Sequence, residues 1–211
     1  MSENPLLKVE REARKLMEGL PGSHDWSHVE RVRRLAILIG KAEGADLEVV
    51  EAAALLHDIG RKYEYKDPRV NHADKSAELA RPILEEAGFP PEKVDHVLKC
   101  IRGHRFRRKC ELETLEEKII YDADKLDSIG AIGVARAFMY GGENQQRLYP
   151  EGGWDLSILP KVETPVTEFI YKLSKILDTL HTETARRIGR ERHQFMVSFY
   201  KRLLDEVEGR R

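Results

Sequence analysis

The stretch Leu47-Glu48-Val49-Val50-Glu51-Ala52-Ala53-Ala54-Leu55-Leu56-His57-Asp58-Ile59-Gly60 decides how the rest of the chain is read. Asp46 stands where a helix N-cap belongs, and the ten residues after it are apolar on nearly every side. A helix of that kind sits at the centre of a fold, because it has no polar face to offer water. It ends on an imidazole and a carboxylate, His57 and Asp58, which are costly to bury without compensation. A divalent cation supplies it, since imidazole and carboxylate together suit Mn, Fe, Co, Ni or Zn. A plain helix end, with His57 favouring the dipole and Asp58 starting the turn, fits the same dipeptide.

Outward from this segment the 3.6-residue period continues in both directions. Leu6, Val9, Ala13, Leu16 and Met17 share one face of a first helix that stops at Gly19-Leu20-Pro21-Gly22. Ser27 is placed to cap a second helix running to about Glu43, with Val29, Val32, Leu35, Ala36 and Ile39 inward and Gly44 at its end. Residues 60–70 read as a polar loop. Asn71 caps the next helix, which ends at Gly88, and Pro90-Pro91 open another to about His104. Helical patterns follow over about 112–127 and 129–140. Residues 141–160 break the period with Gly141-Gly142, Pro150, Gly152-Gly153 and Pro160, and suit a lid or a loop packed on itself. Two long amphipathic helices, about 162–180 and 183–208, close the chain. No segment alternates with period 2, so the expected fold is all-α, a compact single-domain helical bundle over residues 1–211.

The chain has 211 residues, 41% hydrophobic and 35% charged, enough for one well-buried domain with a charged surface. A formal net charge of −1 leaves no global field to recruit nucleic acid or an anionic membrane. Met1 to Glu10 carries charge and a proline where an export signal needs an apolar run. Apolar runs such as Leu35 to Ile39 are too short to span a bilayer. The cytoplasm is the expected location, with Cys100 and Cys110 as reduced thiols.

A second chemistry-bearing element is Asp122-Ala123-Asp124-Lys125-Leu126-Asp127-Ser128, set between Ile119-Ile120-Tyr121 and Ile129. Acids this dense inside core-like sequence point to a shared role, either on a ligand or capping a neighbouring helix. Lys125 suits a carboxylate or a substrate phosphate. Of eight histidines, six precede residue 105: His24, His28, His57, His72, His96 and His104. A basic cluster, Arg102, Arg105, Arg107, Arg108 and Lys109, follows the last of them and reads as a polyphosphate entrance or a solvated helix end.

His28, the pair His57-Asp58 and the later Asp124 resemble the spaced H…HD…D pattern of the HD phosphohydrolase superfamily. Three blocks carry the likeness: residues 24–32 (His-Asp-Trp-Ser-His-Val-Glu-Arg-Val), 54–60 (Ala-Leu-Leu-His-Asp-Ile-Gly) and 122–133 (Asp-Ala-Asp-Lys-Leu-Asp-Ser-Ile-Gly-Ala-Ile-Gly). They are similar to a subgroup of small single-domain enzymes from bacteria and archaea, some of which release pyrophosphate from nucleoside triphosphates. The likeness spans roughly residues 20–200. It implies His28, His57, Asp58 and Asp124 as metal ligands, with Asp122 and Asp127 competing for the last place. Asp58 and His57, with Lys125, are the implied catalytic residues; His72, His104, Arg31, Lys125 and Asp127 are the expected substrate contacts. A Gly-Tyr-Pro block is missing, which argues against the cyclic-dinucleotide phosphodiesterase branch.

The resemblance thus implies a metal-dependent hydrolase acting on a small phosphorylated substrate, a nucleotide first of all. Mn or Mg is the favoured ion among Mn, Mg, Fe, Co, Ni and Zn, and a homodimer is left open. A phosphodiesterase or phosphomonoesterase on another substrate, and a metal or nucleotide sensor without turnover, are the alternatives. A membrane is not an expected partner, and nucleic acid comes last, resting only on the short basic cluster.

Overall fold

The structure, a computed structural model, describes residues 4–105, 111–150 and 163–211. All regular elements among the described residues are helices: α1 (Pro5–Met17), α2 (Trp26–Glu43), α3 (Leu47–Leu56), α4 (Arg61–Lys66), α5 (His72–Ala87), α6 (Pro91–Gly103), α7 (Leu115–Asp127), α8 (Gly130–Glu143), α9 (Pro165–Tyr171) and α10 (Glu183–Val207), with two short 3-10 helices at Gly22–His24 and Leu173–Thr179. The fold is all-α. No helix among the described residues is long and apolar enough to cross a membrane.

The chain divides into two compact units, residues 1–124 and 125–211. In the first, α3 is the central element and packs against α1, α2, α5 and α6. Val49, Val50, Ala52, Ala53, Ala54, Leu55 and Leu56 are all buried, as expected from a helix with no polar side. Each large aliphatic side chain buried in this way contributes about 1.5–3 kcal/mol. The Asp46 side chain accepts from the amides of Glu48 and Val49, and Gly44 ends α2 in the left-handed region at φ 78°. In the second unit α8 packs on α9 and α10, and Tyr200 of α10 stacks on Phe169 at 4.1 Å between ring centroids.

Several boundaries differ from expectation. Asp25, not Ser27, caps α2: its carboxylate accepts from the Ser27 amide and hydroxyl, so the helix starts two residues earlier, at Trp26. The expected polar loop 60–70 contains α4, which follows α3 after a turn over residues 57–60 in which Ile59 is buried. The expected long helix 162–180 is instead α9 followed by the 3-10 helix Leu173–Thr179, joined at Lys172 with φ −131° and ψ −59°. Within the expected irregular stretch 141–160, α8 extends to Glu143 and residues 144–150 lack regular structure; the remainder, and Arg107, Arg108, Lys109 and Cys110, lie outside the described residues.

Gly60 is a glycine whose close packing bears on the site geometry. A Cβ there would lie 2.6 Å from both the His72 carbonyl oxygen and the Ser76 amide nitrogen. The bare backbone lets Gly60 donate to Ser76 Oγ at 2.8 Å, which draws the start of α4 against α5.

Candidate metal centre

Asp58 is fully buried just beyond the end of α3, and its two carboxylate oxygens look in two directions. Oδ2 lies 3.6 Å from His28 Nε2 and 3.9 Å from His57 Nε2, which are themselves 3.2 Å apart. Asp124, near the end of α7, brings Oδ1 to 3.5 Å from His28 Nε2. Oδ1 of Asp58 lies 3.5 Å from His72 Nε2 and 3.7 Å from His104 Nε2, and those two nitrogens are also 3.2 Å apart. Two groups of donors therefore share one carboxylate, an inner group of His28, His57 and Asp58, with Asp124 beside His28, and an outer group of Asp58, His72 and His104.

The rings are aimed by what holds their other nitrogen. His57 Nδ1 donates to the Ala54 carbonyl at 2.8 Å, and His104 Nδ1 donates to the Ile101 carbonyl at 2.6 Å. His72 Nδ1 lies 2.8 Å from Glu64 Oε2, an ion-pair distance without hydrogen-bond alignment. Fixing Nδ1 as the protonated nitrogen presents Nε2 as a lone pair, which is how ligand histidines are oriented. Burial pushes the His57 pKa down to about 3 against the pull of the Asp58 charge, so its ring is neutral. Burial likewise lowers His72, opposed by Glu64 and helped by the Arg61 charge. Burial alone would raise Asp58, but Arg61 and the surrounding histidines hold it well below the usual carboxylate range. Neutral imidazole and ionised carboxylate are the forms a cation binds.

The spacing also fits. Nitrogen and oxygen donors about 2.0–2.2 Å from one cation stand about 2.8–3.6 Å from each other in tetrahedral or octahedral geometry. The inner distances of 3.2, 3.5 and 3.6 Å fall in that range, and 3.9 Å lies just beyond it. The residues present thus suit a divalent ion.

The other expected site residues are placed as follows. Arg31 donates to Ser27 Oγ at 3.0 Å, one turn before it on α2. Lys125 and Asp127 are buried and fall in the second unit, where Asp127 accepts from Arg136 at 2.9 Å and carries a structural ion pair. Asp122 is fully buried on α7 and Asp124 is the more open of the two, with 15% of its side chain exposed. Arg105 of the basic cluster pairs with Glu64 at 3.1 Å.

Two residues at the site are not foreseen from the sequence. Arg61 Nη2 lies 2.9 Å from Asp58 Oδ1 and 3.1 Å from Oδ2, and its Nη1 donates to Glu64 Oε2 at 2.9 Å. Asp58, Arg61 and Glu64 follow one another at three-residue spacing, the signal for a shared helix face, but they sit in a stretch that reads as loop.

The chain is similar to known proteins along most of its length. The HD-domain family profile matches residues 25–129. YpgQ of Bacillus subtilis (strain 168) is 36% identical over 190 residues, 88% of this chain and 85% of YpgQ. The crystal structure of YpgQ in complex with ADP has a TM-score of 0.74 at 32% identity, covering 96% of this chain and 94% of that one. An HD-superfamily hydrolase from Bacillus thuringiensis has a TM-score of 0.76 at 29% identity, covering 99% of each chain. Together with a donor cluster poised for a cation, this likeness along the chain establishes membership: the protein belongs to the HD-domain superfamily, as a metal-dependent phosphohydrolase.

Proposed function

We propose that the substrate is a nucleotide and that the enzyme cleaves a nucleoside triphosphate to the monophosphate and pyrophosphate. One observation carries the nucleotide part: YpgQ, similar along 96% of this chain, has been solved in complex with ADP. The divalent ion, with Mn or Mg favoured, binds to His28, His57, Asp58 and Asp124. When bound it polarises a phosphoryl oxygen and acidifies water, the two services phosphoanhydride hydrolysis needs.

The protein's own residues do the remaining work. Asp58 is ionised and buried, so one oxygen serves the inner donors while the other accepts a hydrogen bond from the attacking water and orients it. His72 and His104 serve the phosphate side of Asp58. Arg31, and Lys125 by its place beside Asp124 on α7, are assigned to the negative charge of the polyphosphate.

Purified protein supplied with Mn should release pyrophosphate, and not orthophosphate, from nucleoside triphosphates. Orthophosphate as the first product would replace this reading with a phosphomonoesterase. Tight nucleotide binding with no product over hours would replace it with a sensor.

A further inference from the structure

The inner and outer donor groups contain similar side chains, yet a built-in cation touches the carboxylate they share. Arg61 is drawn onto Asp58 by the short α4 that Gly60 starts, and it reaches both Asp58 oxygens with Nη2 and Nε within 3.3 Å. Its shortest contact, 2.9 Å, is to Oδ1, the anionic donor of the outer group. Its other end is tied to Glu64, which also faces His72 Nδ1 and Arg105. On the inner side a second carboxylate, Asp124, stands 3.5 Å from His28, whereas among the described residues the outer group of Asp58, His72 and His104 has its anionic ligand atom in Asp58.

The geometry points to Arg61 as the residue that sets the order of metal loading: by holding Asp58 Oδ1, it keeps the outer group of Asp58, His72 and His104 a weak cation site while the inner group fills first. Like charges close together in a poorly solvated pocket repel strongly, so a divalent ion beside His72 and His104 must displace the guanidinium. Glu64 gives the displaced guanidinium a place to stay, since Nη1 already donates to it. Arg61 is thus a positioning residue acting through Asp58. This rests on the metal reading of the inner group.

Protein freed of metal with a chelator is titrated with Mn(II) alone, following heat by calorimetry and the free-ion signal by electron paramagnetic resonance. Wild type should take one ion tightly, with any second ion at least about tenfold weaker. Arg61→Gln should strengthen the second step about tenfold or more and move the first less than about threefold. Arg61→Lys, which keeps a charge but lacks the fork that spans Asp58 and Glu64, should shift the second step the same way by less. His104→Ala should remove the second step and leave the first. Two equal steps in wild type, a second step unmoved in either folded Arg61 variant, or both steps strengthened alike would overturn the proposal. No tight step in wild type would instead overturn the inner site itself, a different outcome from any of these.

Discussion

The two sides of Asp58 differ in charge more than in residue type. Both present a pair of histidine Nε2 atoms 3.2 Å apart, reached from positions 29 and 32 residues distant in the chain. On the inner side a second carboxylate, Asp124, adds negative charge beside His28. Arg61 touches both oxygens of Asp58 but lies closest to the outer Oδ1, at 2.9 Å, and Glu64 lies beside both Arg61 and His72. Matching ligand types therefore do not make matching sites. The charge left over after the protein's own ion pairs form decides which side is ready for a cation.

The comparison breaks most completely if the shared residue is removed. His57→Ala combined with Asp58→Ala should lower hydrolysis by on the order of a thousandfold or more, with loss of the tight metal ion seen by elemental analysis. Activity that survives the double change would separate catalysis from this centre. Glu64→Gln tests the outer side alone: it removes the carboxylate behind His72 and Arg61, and should cost about 10–100-fold in activity with the tight ion retained. Loss of the tight ion in that variant would mean that the two sides are not separable.

Gly60→Ala probes the backbone contact that aims α4. A methyl group has no room against His72 and Ser76, so the variant should lose about 1–3 kcal/mol in denaturant unfolding. The smallest effect belongs to a position away from Asp58. Tyr200 is buried and donates to the Pro165 carbonyl at 3.2 Å, and burial raises its pKa. Below about pH 10 this has no effect on stability, because the tyrosine is protonated both folded and unfolded. Above it the unfolded chain loses the proton first, so stability falls by about 1.4 kcal/mol per pH unit. Tyr200→Phe should flatten that alkaline slope, read from melts at pH 9 to 11, without changing Mn binding; an unchanged slope would show that other groups set it.

Much of the helical layout is legible in the sequence because its signals are local. Asp46, Asn71, Gly44 and Gly88 mark helix ends through bonds or backbone angles made within a few residues. The exceptions are also local contests. Asp25 and Ser27 are both good caps, and Asp25 wins because its carboxylate satisfies the Ser27 amide and hydroxyl together. The 162–180 pattern is amphipathic enough for one helix, yet the backbone turns at Lys172 and resumes as 3-10. His57-Asp58 stands out on burial grounds alone, whereas His28 and Asp124 are assigned largely through resemblance to a family.

By itself the sequence determined an all-α chain, a central apolar helix, and a histidine–aspartate pair at its end that is costly to bury without compensation. Periodicity, capping and desolvation are properties of neighbouring residues, so no tertiary knowledge is needed to read them. Only the tertiary structure decided that Asp58 faces two pairs of histidines, and that Arg61 from an unforeseen short helix reaches both of its oxygens, Oδ1 most closely. The physical reason is that a buried carboxylate takes whichever donors packing brings within reach. That packing depends on a glycine approaching the backbone of α5, a contact that no periodic pattern records.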